Sequence, residues 1–189
     1  MRRIARYRCA MRKTVLVVAM VMAWILAGAL PAGAAPGDEP SWSGDYSLMR
    51  FAASKTGTSA AASQREPDFS NVYTFASGCT DGECVASVVA GPPPANESLQ
   101  NRPIDYIWDG TSWVHTYDWV WDCYRGEGVP KDYNDARSVA YYTPQPDGSF
   151  EGVWETTIYG GYCDGTVIMN VAAYPVPVIP ALPPMFGSS

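Results

Sequence analysis

The chain repeats one pattern, in which a short run of aromatic and β-branched residues leads to an Asp-Gly pair and then to another such run. Asp-Gly favours the positive φ angles of tight hairpin turns. It stands at Asp81-Gly82, Asp109-Gly110, Asp147-Gly148 and Asp164-Gly165. We therefore predict an all-β fold of eight strands without a helix, near residues 42–51, 71–79, 83–90, 104–108, 112–122, 137–143, 150–159 and 165–173.

Strands joined by hairpins form an antiparallel meander. A meander closes into an up-and-down barrel, such as a lipocalin- or avidin-like one, or folds over into a sandwich, and both arrangements remove or shorten exposed edges. From Trp113 to Cys123 the odd positions are mostly aromatic, whereas the even positions include Thr116, Asp118 and Asp122. One face should therefore pack inward. Because so many large rings share that face, we expect a filled interior rather than a hollow one.

Residues 1–34 have the composition of an export signal. Six basic residues and no acid precede an apolar run at residues 15–30, and Ala32-Gly33-Ala34 offers a small-x-small cleavage site. We predict cleavage before Ala35 and a secreted or cell-envelope location. The alternative is an uncleaved membrane anchor at residues 14–30, because the apolar run approaches the ~17 residues that span a bilayer.

The expected domain covers residues 35–174. Residues 52–67 are rich in Ala, Ser, Thr and Gly and predict a long surface loop, and Pro92-Pro93-Pro94 marks another break. Five prolines punctuate residues 175–189. We expect this last segment to form an extended tail without structure of its own.

Charge restricts the partners. Of 13 basic and 19 acidic residues, seven basic and all 19 acidic ones follow residue 34, which leaves a net charge of about −12 there. A domain this acidic repels phosphate backbones and anionic headgroups. We expect no nucleic-acid partner and no membrane contact except through residues 14–30 if they are uncleaved. A small molecule, a glycan or another envelope protein remains as the partner.

Four cysteines of the expected domain fit two disulfides in an oxidising compartment. If Asp81-Gly82 is a two-residue turn, Cys79 and Cys84 form the next cross-strand pair beyond the turn, which is close enough for a bond. Cys123 and Cys163 are then left for each other. A zinc site is the rival, but the C-x4-C spacing has no histidine nearby, so we expect neither a metal nor a cofactor.

Aromatic rings beside carboxylates are typical of carbohydrate-binding surfaces. The candidate binding residues are Trp108, Trp113, His115, Tyr141 and Tyr142. The regular alternation of the rings favours the opposite interpretation, in which most of them form the core. His115 is the single histidine, and its position in an aromatic stripe favours packing over a role as a catalytic base.

A small envelope hydrolase that acts on glycans is the alternative function. Asp118 and Asp122 share a strand face, roughly 13 Å apart at ~3.3 Å per residue, which exceeds the ~5–9.5 Å between glycosidase carboxyl groups. Strands that cross could bring Glu151 or Glu155 nearer. A solvated face is the simpler interpretation, so we assign no catalytic residue.

Short motifs in the first two thirds of the chain carry two resemblances. They are Trp42-x-Gly44-x-Tyr46, Lys55-Thr56-Gly57-Thr58-Ser59, Tyr73-x-Phe75-x-Ser77-x-Cys79, Cys84-Val85-Ala86 and Trp121-x-Cys123. The first is similar to the aromatic-Gly opening of lipocalin- and avidin-like barrels, which bind small apolar ligands. Together they resemble a family of uncharacterised secreted or membrane-tethered proteins of mycobacteria and related actinobacteria.

The second resemblance implies that the protein acts in the cell envelope, but it does not imply a particular reaction. Related-looking ectodomains follow the transmembrane segment of bacterial Ser/Thr kinases, which implies envelope sensing, although these 189 residues contain no kinase portion. The family brings no catalytic residues. We therefore expect an exported, disulfide-bonded, all-β domain that acts as a non-enzymatic binding or sensing module.

Overall fold

The structure, a computed structural model, describes residues 40–177. The predicted export signal, its cleavage before Ala35 and most of the predicted tail lie outside the described residues. Eight strands form, and they are β1 Gly44–Thr56, β2 Phe69–Thr80, β3 Glu83–Ala90, β4 Asp105–Trp108, β5 Trp113–Cys123, β6 Asp132–Pro144, β7 Phe150–Ile158 and β8 Gly165–Pro175. Two short 3₁₀ helices accompany them, and neither is long and apolar enough to cross a membrane.

The strands close into a barrel. Each pairs antiparallel with the next, and β1 completes the ring by pairing with β8, where Leu48 lies opposite Ala173. The predicted eight-stranded meander is confirmed, and the alternative between barrel and sandwich is decided for the barrel. Because β1 and β8 pair with each other, neither the first nor the last strand is an exposed edge strand.

The hairpin between β2 and β3 has the predicted register. Asp81 and Gly82 form the turn with φ angles of 54° and 84°. Cys79 lies opposite Cys84, and the disulfide between them joins Cα atoms 4.0 Å apart. The second predicted disulfide, which joins the end of β5 to the connection between β7 and β8, is confirmed as well.

Trp42 fills one end of the barrel from a position before β1. Its buried ring stacks on Phe75 and Phe150, with centroids 4.2 and 4.6 Å away. The Trp42 amide donates to Ser77 Oγ at 2.9 Å, and Gly44 with a φ of 103° turns the chain into β1. A left-handed turn of this kind suits glycine. The Trp-x-Gly opening therefore places a plug in the barrel.

The connection between β1 and β2 covers the other end. Ser59 Oγ donates to the Cys163 carbonyl at 2.6 Å and accepts from the Ala61 amide at 3.1 Å, which starts a 3₁₀ helix. The Ala61 side chain packs against the disulfide of Cys163. The expectation of a surface loop over residues 52–67 is therefore wrong in part, because Ala61 is buried and β1 continues to Thr56.

Candidate ligand-binding site

A cavity of about 370 Å³ lies inside the wall of the barrel. Inward-facing side chains of β1, β2, β5, β6 and β7 form one side of it, and the connection from β3 to β4 forms the other. Its volume falls in the ~300–1,000 Å³ range of small-molecule sites. The expectation of a filled interior is therefore wrong in this region, although it holds around Trp42.

The cavity owes its outer wall to the shortness of β4, which pairs with β5 at only two positions. Side chains of the preceding connection bond to the rest of the β5 edge. Asn96 Nδ2 donates to the Val120 carbonyl at 2.9 Å, and Ser98 Oγ accepts from the Val120 amide at 3.0 Å. Arg102 donates to the Asp118 carbonyl at 2.7 Å. Side chains of the loop thus supply hydrogen-bond partners for backbone groups at the edge of β5. The cavity lies between this loop and the sheet.

Gly91 begins this connection in a conformation that favours glycine, with a φ of 151°. A Cβ atom at this position would lie 2.3 Å from the ring of Tyr73, which lines the cavity. Glycine lets the backbone pass directly over the ring. The first residue of the loop therefore helps to set the shape of the site.

Aromatic side chains dominate the lining. Four are tyrosines and two are tryptophans, which are Tyr73, Tyr106, Tyr117, Tyr142, Trp119 and Trp154. Burial raises the pKa of Tyr106 and Tyr117, and it raises the pKa of Tyr142 to about 12. These hydroxyls stay protonated at neutral pH and can donate hydrogen bonds inside a mostly apolar site.

Arg50 brings a positive charge into this lining. Its guanidinium carbon lies 5.5 Å from the ring centroids of both Phe69 and Trp154. Its Nη1 atom is buried and has no hydrogen-bond partner among residues 40–177. No aspartate or glutamate of the described residues lines the cavity.

His115 borders both this cavity and a depression on the outer surface across β4 and β5. Its Nδ1 donates to the Asp105 carbonyl at 2.7 Å, because a carbonyl can only accept. Its ring stacks on Tyr117 with centroids 4.6 Å apart. Burial lowers the pKa of the imidazole, which favours the neutral form. These contacts agree with packing and an edge hydrogen bond.

The structure distributes the five predicted binding residues over three places. Tyr142 and His115 line the cavity, whereas Tyr141 borders the outer depression, because neighbouring residues of a strand point to opposite faces. Trp113 is fully buried in the core. Trp108 packs against it with centroids 5.4 Å apart. The five side chains therefore do not form a single surface.

The acids considered for a hydrolase lie on the outer face of the barrel. Asp118 forms an ion pair with Arg137, and Asp122 forms one with Lys131. A two-carboxylate mechanism needs both acids at the substrate, so the acid-free lining of the cavity does not fit it. Within residues 40–177 no group of His, Cys, Asp or Glu is arranged to hold a metal ion.

Sequence reasoning missed Arg50 as a site residue. The sequence did contain an indication of its position. Every second residue of a strand faces the same side, so Arg50 shares the inner face of β1 with Tyr46 and the buried Leu48. Tyr106 and Tyr117 were also missed as site residues, since nothing in the chain shows that the β3 to β4 connection leaves space beside them.

Comparison with known proteins identifies relatives. The model of the family described as "PknI serine/threonine-protein kinase sensor domain" matches residues 39–181. The solved structure titled "Monomer form of M.tuberculosis PknI sensor domain" is 15% identical, covers 73% of this chain and 90% of that chain, and superposes with a TM-score of 0.53. The structure titled "Dimer form of M. tuberculosis PknI sensor domain" is 19% identical, covers 65% and 88%, and has a TM-score of 0.46.

A comparison with curated proteins found no match. The monomer structure, at 15% identity, shows a common fold and no more, whereas the family model spans all of the described residues. The resemblance to a mycobacterial family related to kinase ectodomains is confirmed. The description of that family as uncharacterised is wrong, because it is a sensor domain family. This chain belongs to the PknI serine/threonine-protein kinase sensor domain family, which confirms the binding or sensing role expected from its sequence.

Proposed function

We propose that this domain senses by binding a small, mostly apolar molecule in the cavity of the barrel. The observation that carries the proposal is a cavity of about 370 Å³ lined by six tyrosine and tryptophan rings. Large rings on a closed sheet give a preformed apolar site with few polar groups, as small-molecule sites require. Two disulfides cross-link the strands of the barrel, one within the β2 to β3 hairpin and one between the end of β5 and the connection from β7 to β8.

An extracytoplasmic location goes with this function. It is supported by two disulfides, which persist in oxidising compartments, and by the description of the family as a kinase sensor domain. We expect the exported product to begin at Ala35. Intact mass measures this directly, and a product that keeps Met1 would favour the membrane anchor at residues 14–30 instead.

The binding proposal is tested with the neutral fluorescent probe N-phenyl-1-naphthylamine and the exported, disulfide-bonded protein. We expect saturable fluorescence enhancement with one probe per cavity. Asn71 is exposed and lines the cavity, so Asn71→Trp should obstruct it and weaken probe binding at least tenfold.

Val72→Trp is the matched control, because Val72 is the next residue of the same strand and is 50% exposed. Its side chain points to the other face of β2, and we expect wild-type binding. Absence of saturable binding by the wild type, or equal loss in both variants, would contradict a ligand site in the cavity.

A further inference from the structure

We infer that the ligand of this cavity carries an anionic oxygen group, a carboxylate or a phosphate, which pairs with Arg50 while the aromatic lining holds its apolar body. The inference rests on the proposed function, because it assigns the chemistry of a ligand for the same site. Its basis is the charge balance of the described residues and the surroundings of one guanidinium.

The distribution of charge sets Arg50 apart. Residues 40–177 contain seven basic side chains, and four of them form ion pairs with carboxylates. Arg50 and Arg102 line the cavity, and neither belongs to an ion pair with a described residue. The cavity is therefore a positive site in a domain whose acids greatly outnumber its bases.

One donor atom of Arg50 has no hydrogen-bond partner among the described residues. Stacking against Phe69 and Trp154 offsets part of the charge, but rings accept no strong hydrogen bonds, and the buried Nη1 has no partner within residues 40–177. A buried donor without a partner is costly, and more so when it is charged. A carboxylate or phosphate satisfies the planar fork of a guanidinium with two parallel bonds.

Three tyrosines share the cavity with Arg50. Tyr106, Tyr117 and Tyr142 line it together with the guanidinium. Their protonated hydroxyls can donate hydrogen bonds to an anion. Arg102 adds a second positive charge at the outer wall, where it also bonds to the Asp118 carbonyl.

The aromatic lining selects an amphiphile over a free anion. A free inorganic anion has no apolar body to bury against the rings. A molecule with a short apolar chain gains from burial at roughly 0.8 kcal/mol per CH₂ group. Its anionic head then reaches Arg50.

The test compares three probes of equal chain length, which are decanoate, decyl phosphate and decanol, each displacing N-phenyl-1-naphthylamine from the exported protein at neutral pH. We expect at least one of the two anions to bind tenfold or more tightly than decanol, and the better anion identifies the head group. Inorganic phosphate and acetate should not displace the probe at the same concentrations. Displacement by either would overturn the need for an apolar body.

Arg50→Met keeps the length of the side chain and removes its charge, so the preference for the anion should disappear while decanol binding persists. Arg50→Lys keeps the charge without the fork and should retain part of the preference, which covers the case in which Arg50→Met fails to fold. Arg137→Met is the control, because Arg137 pairs with Asp118 on the outer face, and it should behave as the wild type.

The outcomes separate the two proposals. Equal binding of decanol and both anions by the wild type, or an anion preference that survives in Arg50→Met, overturns the anionic ligand and leaves the apolar site intact. Failure of the neutral probe to bind saturably overturns the proposed function itself.

Discussion

The indole of Trp42 stacks on the ring of Phe75 at a centroid distance of 4.2 Å and an interplanar angle of 13°. Trp42 precedes the first strand, whereas Phe75 lies in the middle of the second. A residue outside the sheet therefore closes one end of the barrel, and it does so with three further rings within about 5.1 Å, those of Tyr106, Tyr142 and Phe150. The packing of this end of the barrel therefore depends on the Trp42 ring.

Trp42→Ala should lower the free energy of unfolding by about 3–5 kcal/mol, because it removes a fully buried ring and leaves a void among its neighbours. Urea unfolding followed by circular dichroism measures the change. Tyr133→Ala is the control, since Tyr133 is 70% exposed, and it should cost less than about 0.5 kcal/mol. Similar losses in the two variants would show that Trp42 is not a plug.

Removal of the two disulfides should have unequal effects. The Cys123 to Cys163 bond closes a loop of 40 residues and the Cys79 to Cys84 bond a loop of five, so the chain-entropy model assigns them about 4 and about 2 kcal/mol. Paired Cys→Ala variants of each bond, compared by urea unfolding, measure the difference. A larger loss from the short loop would contradict the assignment of stability to loop length.

Ser98→Ala should expose the edge of β5. The Val120 amide donates to Ser98 Oγ in place of a strand partner, so its loss should speed hydrogen exchange at Val120 by about fivefold, as expected for a bond worth ~1 kcal/mol. Exchange followed by NMR measures the rate. Ser63→Ala removes a hydroxyl that bonds only within its own 3₁₀ turn, and Val120 should then exchange as in the wild type.

Acidification from pH 7 to pH 5 should destabilise the domain through His115. The pKa of His115 in the folded state is lowered by burial from its ordinary value of 6.5, so the unfolded state binds a proton first and the free energy of unfolding falls as the pH falls through that value. The slope contributed by one proton is at most about 1.4 kcal/mol per pH unit. Chemical unfolding at several pH values measures it.

His115→Gln provides the comparison, because His115 is the single histidine of the chain and glutamine does not titrate. The dependence of stability between pH 5 and pH 7 should be shallower in this variant, whatever its stability at pH 7. An identical slope in the two proteins would show that His115 titrates normally in the folded state.

Local patterns along the chain determined the strands, the turns and the Cys79 to Cys84 disulfide. Asp81-Gly82 specified a two-residue turn, and that turn placed Cys79 opposite Cys84, because hairpin register follows from turn geometry. Alternation from Trp113 onward identified the inner face of β5 correctly. These features depend on neighbours in sequence, which a single chain displays directly.

Tertiary structure alone decided the closure of the barrel, the plug and the cavity. Pairing of Leu48 with Ala173 joins the two ends of the sheet, and the insertion of Trp42 depends on rings contributed by other strands. The space beside Arg50 arises because β4 is short and the loop before it bonds to Val120 across the gap. Contacts of this kind join residues far apart in the chain, so no local pattern records them. Alternation predicted that Arg50 faces inward, but only the packing around it left its Nη1 atom without a partner among the described residues.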